Sequence, residues 1–164
     1  MGGGILPIAL YKGKILFLFG KEVGERKWSD FGGGREGNES KFETAIREGC
    51  EELNGFLGCQ NQLKKLVKSN EIAVIDTKGL HTYLFLINYD ENLTYYFNNN
   101  FKFMKQKMPH KISKNGMFEK SEIAWFSIDE LKHSPGQFRS FYKNVIRNIV
   151  INYSSILAEA KNFK

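Results

Sequence analysis

The segment "SKFETAIREGCEEL" (residues 40–53) constrains the chain more than any other stretch. Phe42, Ala45, Ile46, Gly49, Cys50 and Leu53 recur at i, i+3, i+4, i+7, i+8 and i+11, which is one face of an α-helix. Ser40 with Glu43 three residues later predicts a capping box at the start of that helix. Asn54 or Gly55 predicts a left-handed cap at its end. A helix with such a stripe must lay it against a sheet or another helix. The other side carries Glu48, Glu51 and Glu52 at i, i+3 and i+4, so three carboxylates project together. Like charges at that spacing weaken a helix by roughly 0.2–0.5 kcal/mol per pair. An acidic face of this kind therefore calls for neutralisation.

The charge of the whole chain is arranged around that need. Residues 35–52 hold six glutamates against Arg35, Lys41 and Arg47, a balance of −3 inside a protein of net charge +6. Residues 101–118 contain Lys102, Lys105, Lys107, Lys111 and Lys114 and no acid. A basic chain with one acidic pocket suits a polyanionic ligand bridged to carboxylates by a cation. A lysine-rich solvated surface, with the acidic face paired to Lys41 and Arg47, is the simpler account of the same charges.

The rest of the chain reads as a mixed α/β (α+β) domain spanning 1–164, in the order β-β-α-β-β-β-α. "ILPIALY" and "KILFLFG" flank "KGK", and "EIAVID" and "HTYLFLINY" flank "TKGL", two hairpin patterns. "EIAWF" is a further strand, and Ser127 with Glu130 predicts the cap of a short helix over "IDEL". A last helix is expected from Ser134, with Pro135 at its first position and a stripe through Phe138, Phe141, Tyr142, Val145, Ile146, Ile149, Tyr153, Ile156 and Leu157. No apolar run approaches the ~18–20 residues of a membrane span. The N-terminal apolar stretch lacks the basic flank and cleavage site of a signal peptide. Cys50 and Cys59 form neither a disulfide framework nor a metal-ligand pattern, so an intracellular, cytoplasmic location is expected.

Carboxylates without His or Cys beside them suit Mg²⁺ or Mn²⁺, not zinc. Residues 31–56, "FGGGREGNESKFETAIREGCEELNGF", also resemble the signature of the Nudix hydrolase superfamily, G-x5-E-x7-R-E-U-x-E-E-x-G-U with U a bulky aliphatic residue. Gly33, Glu39, Arg47–Glu48 and Glu51–Glu52 occupy its fixed positions. The style of the stretch is similar to that of Nudix proteins of large DNA viruses. "FEKSEIAWFSIDEL" is similar to a later strand of the family. Gly49 and Gly55 depart from the pattern at aliphatic positions, Asn54 replaces a glycine, and Phe31 stands where proline is common. A glycine at 49 predicts close helix–sheet approach, at a propensity cost of about 1 kcal/mol relative to alanine.

The resemblance implies an α/β/α sandwich with a mixed central sheet and metal-assisted hydrolysis of the pyrophosphate in a nucleoside diphosphate-linked substrate. Glu48 and Glu52 would be the principal metal ligands, with Glu51 completing the site. Arg47 would orient a neighbouring carboxylate, Glu39 first among them. Gly32, Gly33 and Gly34 would turn the chain sharply beside the site. Glu51, Glu52 or a downstream acid would be the general base. Glu119 matches the family's additional metal-site glutamate better than Glu122 does, and strand alternation would send the two acids to different faces.

For substrate binding, Trp28 and Phe101 are candidate platforms for a base, and Lys102 and Lys105 candidate phosphate contacts. The substrate class implied first is a small nucleotide, a triphosphate or dinucleotide. The alternative is capped RNA, with release of m7GDP, which needs the basic 101–118 segment to form a groove to the site. A non-catalytic RNA- or partner-binding module is a third reading, set against the retention of all four motif glutamates. Either a monomer or a homodimer is compatible with the sequence.

Overall fold

A computed structural model describes residues 1–112 and 117–163; Lys114 of the basic segment lies outside them. The strands are β1 (Gly2–Tyr11), β2 (Lys14–Glu22), β3 (Trp28–Ser29), β4 (Phe31–Gly34), β5 (Glu71–Thr77), β6 (Leu80–Leu86) and β7 (Lys120–Ser127). The helices are α1 (Lys41–Glu52), α2 (Gln60–Asn70), α3 (Glu91–Lys107), α4 (Ile128–His133), α5 (Lys143–Ile151) and α6 (Tyr153–Asn162).

The sheet is mixed. β1 runs parallel to β6 from Gly2 to Ile8 and changes its antiparallel partner midway. Gly2 to Ile5 pair with β4, whereas Ile8 to Tyr11 pair with β2. Pro7 sits between the two stretches, where a residue without an N–H interrupts a ladder least. β7 extends the sheet beyond β2. Alternating side chains feed two cores. Ile15, Phe17 and Phe19 of β2 meet α4–α6 on one face, and Leu18 and Ile5 meet α1–α3 on the other. This is the expected α/β/α sandwich.

Both capping boxes form: Ser40 with Glu43 on α1, and Ser127 with Glu130 on α4. Asn54 (φ 49°) and Gly55 (φ 73°) are both left-handed after α1. The C-terminal helix differs from expectation. Residues 135–137 and 140–142 are single 3₁₀ turns, because the Arg139 N–H is drawn to the Trp28 carbonyl (3.0 Å) and the helical ladder starts only at Lys143. Two helices were not foreseen. α2 buries only Leu63 and Val67, and α3 takes in Lys102, Lys105 and Lys107 of the basic 101–118 segment. Among the described residues no helix is long and apolar enough to cross a membrane, and both cysteines are free.

Candidate active site

Two glycine triplets build the floor of the site. Gly2, Gly3 and Gly4 of β1 pair with Gly34, Gly33 and Gly32 of β4. None of the three β4 glycines has a positive φ, so they are extended strand and not the sharp turn expected of them. What they provide is close approach. A Cβ on Gly3 would strike the Lys41 carbonyl of α1, and a Cβ on Gly33 would strike the Glu48 carboxylate. Gly49 has the same role from the helix side, where a Cβ would collide with Ile5. Helix α1 thus lies on bare backbone, with Glu48 laid across Gly33.

Arg47 organises the acidic face. Its Nε and Nη2 donate to the two oxygens of Glu39 at 2.8 and 3.1 Å, and Nη2 also donates to the Gly34 carbonyl at 2.9 Å. Nη1 reaches Glu48 at 2.9 Å and Glu51 at 3.3 Å. Glu39 accepts further bonds from the Glu36 N–H and the Thr44 hydroxyl. The Arg47 guanidinium, helped by the Glu36 N–H, holds the Glu39 carboxyl down to about 2. Glu48 moves the other way: burial pushes its carboxyl up, against the pull of Arg47, and Glu51 and Glu119 add to the rise.

Glu52 is drawn into the protein. It is 2% exposed, accepts a hydrogen bond from the Gly32 N–H at 2.8 Å and faces Lys120 Nζ at 3.5 Å. Burial raises its pKa well above the usual carboxylate value. Lys120 is itself fully buried and also donates to Glu22 (2.9 Å) and Ser29 (3.0 Å). No sequence signal marks a lysine that ends at 0% exposure.

The alternation expected of the downstream acids does not apply, because only one of them lies in the strand. Glu119 precedes β7 at an exposed bend and is one of the charges acting on Glu48. Glu122 lies within β7 and pairs with Lys21 at 3.4 Å. Trp28 is no base platform. It is buried in the core against Phe126, with ring centroids 4.9 Å apart. Phe101 is likewise buried, on the inner side of α3. Lys102 and Lys105 stand on α3 and line a separate cleft with Lys21 and Arg26, one that none of the motif glutamates lines.

Beside the β4 glycines opens a cavity of about 390 Å³, which sequence reasoning did not find. Asp30, Lys78, Arg139, Phe141 and Asn144 line it together with Gly32–Gly34. Phe141 is half exposed, with the Arg139 guanidinium 4.7 Å from its ring centroid. Its place in an apolar helical stripe had marked it as core. Asp30 is buried, accepts from the Thr82 hydroxyl at 2.9 Å, and burial raises its carboxyl to about 6. The buried Tyr142 hydroxyl lies beside Asp30 without a hydrogen bond of normal geometry.

Among the described residues no three His, Cys, Asp or Glu side chains converge tightly enough to enclose a metal ion. The donor chemistry nevertheless fits a hard cation. Glu48, Glu51 and Glu52 offer carboxylate oxygens alone, and the Gly33 cradle leaves room for the Glu48 carboxylate. Glu48 and Glu51 share one Arg47 nitrogen, so a cation would compete with that nitrogen for both. Glu52 has each oxygen facing a donor, yet a carboxylate keeps further lone pairs free.

No protein-family model matches the chain, and no curated protein sequence does. Solved structures do. The chain is 18% identical to a C. elegans Ap4A hydrolase in a binary complex, covering 96% of each chain at a TM-score of 0.54. It is 13% identical to RenU, a Nudix hydrolase from M. smegmatis, covering 94% of this chain and 86% of that one at 0.53. It is 9% identical to the Nudix domain of Shewanella oneidensis NrtR complexed with ADP ribose, covering 95% and 86% at 0.50. The chain therefore has the fold of the Nudix hydrolases.

Proposed function

We propose that the chain is a Nudix-type hydrolase that cleaves the pyrophosphate bond of a small nucleotide-linked substrate with the help of Mg²⁺ or Mn²⁺. The observation that carries the reading is the joint hold of Arg47 on Glu39, Glu48 and Glu51, with the Glu48 carboxylate lying against the Gly33 backbone. A guanidinium fixed by five hydrogen bonds holds three carboxylates together, and the Gly34 carbonyl it also bonds belongs to the strand that lines the cavity. Glu48, Glu51 and Glu52 would hold the cation, and Glu119, one of the charges that act on Glu48, would be the additional acid. When bound, the cation would screen phosphate charge and make a water more acidic.

The cavity beside β4 accounts for the rest of the substrate. The exposed Phe141 ring offers a face for a base, Asn144 a polar edge, and Lys78 and Arg139 charges for phosphate. Neighbours of the same fold include an Ap4A hydrolase and a domain complexed with ADP ribose, both consistent with a substrate of this class.

The test is a turnover assay with Mg²⁺ and with Mn²⁺ over nucleoside triphosphates, dinucleoside polyphosphates, ADP-ribose and cap-labelled RNA. The Glu48→Gln and Glu52→Gln proteins serve as blanks. Metal-dependent cleavage of one small nucleotide, lost by orders of magnitude in both variants, is the expected result. Turnover that survives both substitutions would remove the assignment. Release of m7GDP with little turnover of free nucleotides would move the substrate to capped RNA.

A further inference from the structure

A second cleft, of about 540 Å³, lies between α3 and the paired ends of β2 and β7. We propose that it binds a chain of phosphates, the part of a substrate that extends past the bond being cleaved. The role of those phosphates rests on the hydrolase reading; the binding site itself does not.

The cleft is held open by a specific joint. The Asn98 side chain donates to the Ile123 carbonyl (3.1 Å) and accepts from the Ile123 N–H (2.8 Å), pairing with the edge strand β7 as one more residue of strand would. That contact fixes how α3 is turned. Lys102 and Lys105 follow Asn98 at i+4 and i+7, so all three look into the same space. Lys21, Ser121 and Glu122 form the facing wall, with Arg26 on a left-handed turn (φ 56°).

Charge selects the ligand. Four cations line the cleft against one carboxylate, Glu122, which is already paired with Lys21. Among the described residues Arg26, Lys102 and Lys105 make no ion pair, as is the case for most of the other lysines, so their charge is available to a ligand. Lys102 and Lys105 stand at i and i+3, where like charges repel, and an anion between them would relieve that repulsion. Phe101 is the one aromatic residue lining the cleft, and it is only 8% exposed, so it offers little ring face on which to stack a base. It reads charge. At one end the Val23 N–H donates to the Glu119 carbonyl (3.0 Å), and Glu119 is, after Glu51, one of the acids that act on Glu48. A phosphate chain lying here would therefore end near Glu119, which leads into β7.

Binding is measured by calorimetry without divalent cations, so that the acidic face takes no part. The probes are inorganic tripolyphosphate, a short 5′-phosphorylated RNA and a glutamate oligopeptide. Lys102→Ala/Lys105→Ala is compared with Lys132→Ala/Lys161→Ala, which removes the same charge elsewhere, and with Lys102→Arg/Lys105→Arg. In the cleft variant affinity for both phosphate probes should fall, and with the RNA the slope of log affinity against log salt should flatten by ~0.7 for each lysine lost. The arginine variant should retain binding. Tripolyphosphate alone would mark the tail of a free nucleotide, and RNA alone a nucleic-acid strand; both support the cleft. Equal loss in the distant-charge variant, equal binding of the glutamate peptide, or no binding of either phosphate probe would overturn it. A protein that binds tripolyphosphate here and hydrolyses no nucleotide would keep the cleft and lose the hydrolase reading.

Discussion

Arg47 grips Glu39 with two nitrogens, at 2.8 and 3.1 Å, while a third nitrogen spans Glu48 and Glu51. The side chain is pre-formed for this, because a planar guanidinium presents its donors in a fixed fork. A lysine keeps the charge but offers one ammonium, which cannot serve Glu39 and Glu48 together. Arg47→Lys should therefore fold and lose activity. Removing a partner that orients metal ligands typically lowers activity or metal affinity about 10–100-fold. Turnover over a Mg²⁺ titration checks this, and a variant as active as the parent would show that charge alone suffices.

Asp30 gives a pH prediction of definite sign. Burial raises its carboxyl to about 6, whereas in the unfolded chain it ionises near ~3.9. Between those values the folded protein holds a proton that the unfolded chain has released. Asp30 therefore lowers stability as pH rises through that window, and the full penalty is present above about 6. Its size is on the order of 2–3 kcal/mol. Asp30→Asn keeps an acceptor for the Thr82 hydroxyl and removes the titration. Its melting temperature should exceed that of the parent at mildly alkaline pH and converge with it in acid. The same slope in both proteins would assign the effect to another group.

What the sequence revealed and what it hid follow from how each residue is paired. Helix α1 was legible because stripe, capping box and left-handed end are local signals in one short segment. The hairpin of β5 and β6 was legible for the same reason, with Gly79 (φ 90°) supplying its turn. α3 was hidden although Leu93, Phe97, Phe101 and Met104 keep helical spacing. Tyr95, Tyr96 and Phe103 are exposed and blur that stripe. Asn98 looks like loop until its bonds to Ile123 are seen. The two glycine triplets, 2–4 and 32–34, were visible, but their pairing is a long-range fact. Lys120 and Arg139 belong to the same class, since their acidic partners lie far away in sequence.

Gly33 separates the two accounts of the glycine motif. Were it needed for a sharp turn, alanine would strain the backbone and the fold. As extended strand it accepts alanine's φ, and the added methyl meets the Glu48 carboxylate instead. Gly33→Ala should therefore displace Glu48 and cut turnover. Overpacking penalties of this kind are typically about 1–3 kcal/mol, and one at the open edge of the site falls toward the lower end. Denaturant melts alongside kinetics decide it. Full activity in Gly33→Ala would mean that Glu48 can move without consequence.

Lys120 is the strongest test of how the site is supported from beneath. Burial opposes its charge, yet Glu52 and Glu22 together outweigh burial and hold its pKa above the usual lysine value. Lys120→Met fills much of the same space and leaves two carboxylates facing each other with their shared cation gone. Removing one partner of a buried ion pair costs about 3–5 kcal/mol, because the remaining charge stays desolvated. The variant should unfold at markedly lower urea concentration. The penalty should shrink when Glu52→Gln is added, since the second substitution removes one of the stranded charges. Strictly additive losses in that double-mutant cycle would mean that Lys120 and Glu52 do not depend on each other, despite lying 3.5 Å apart.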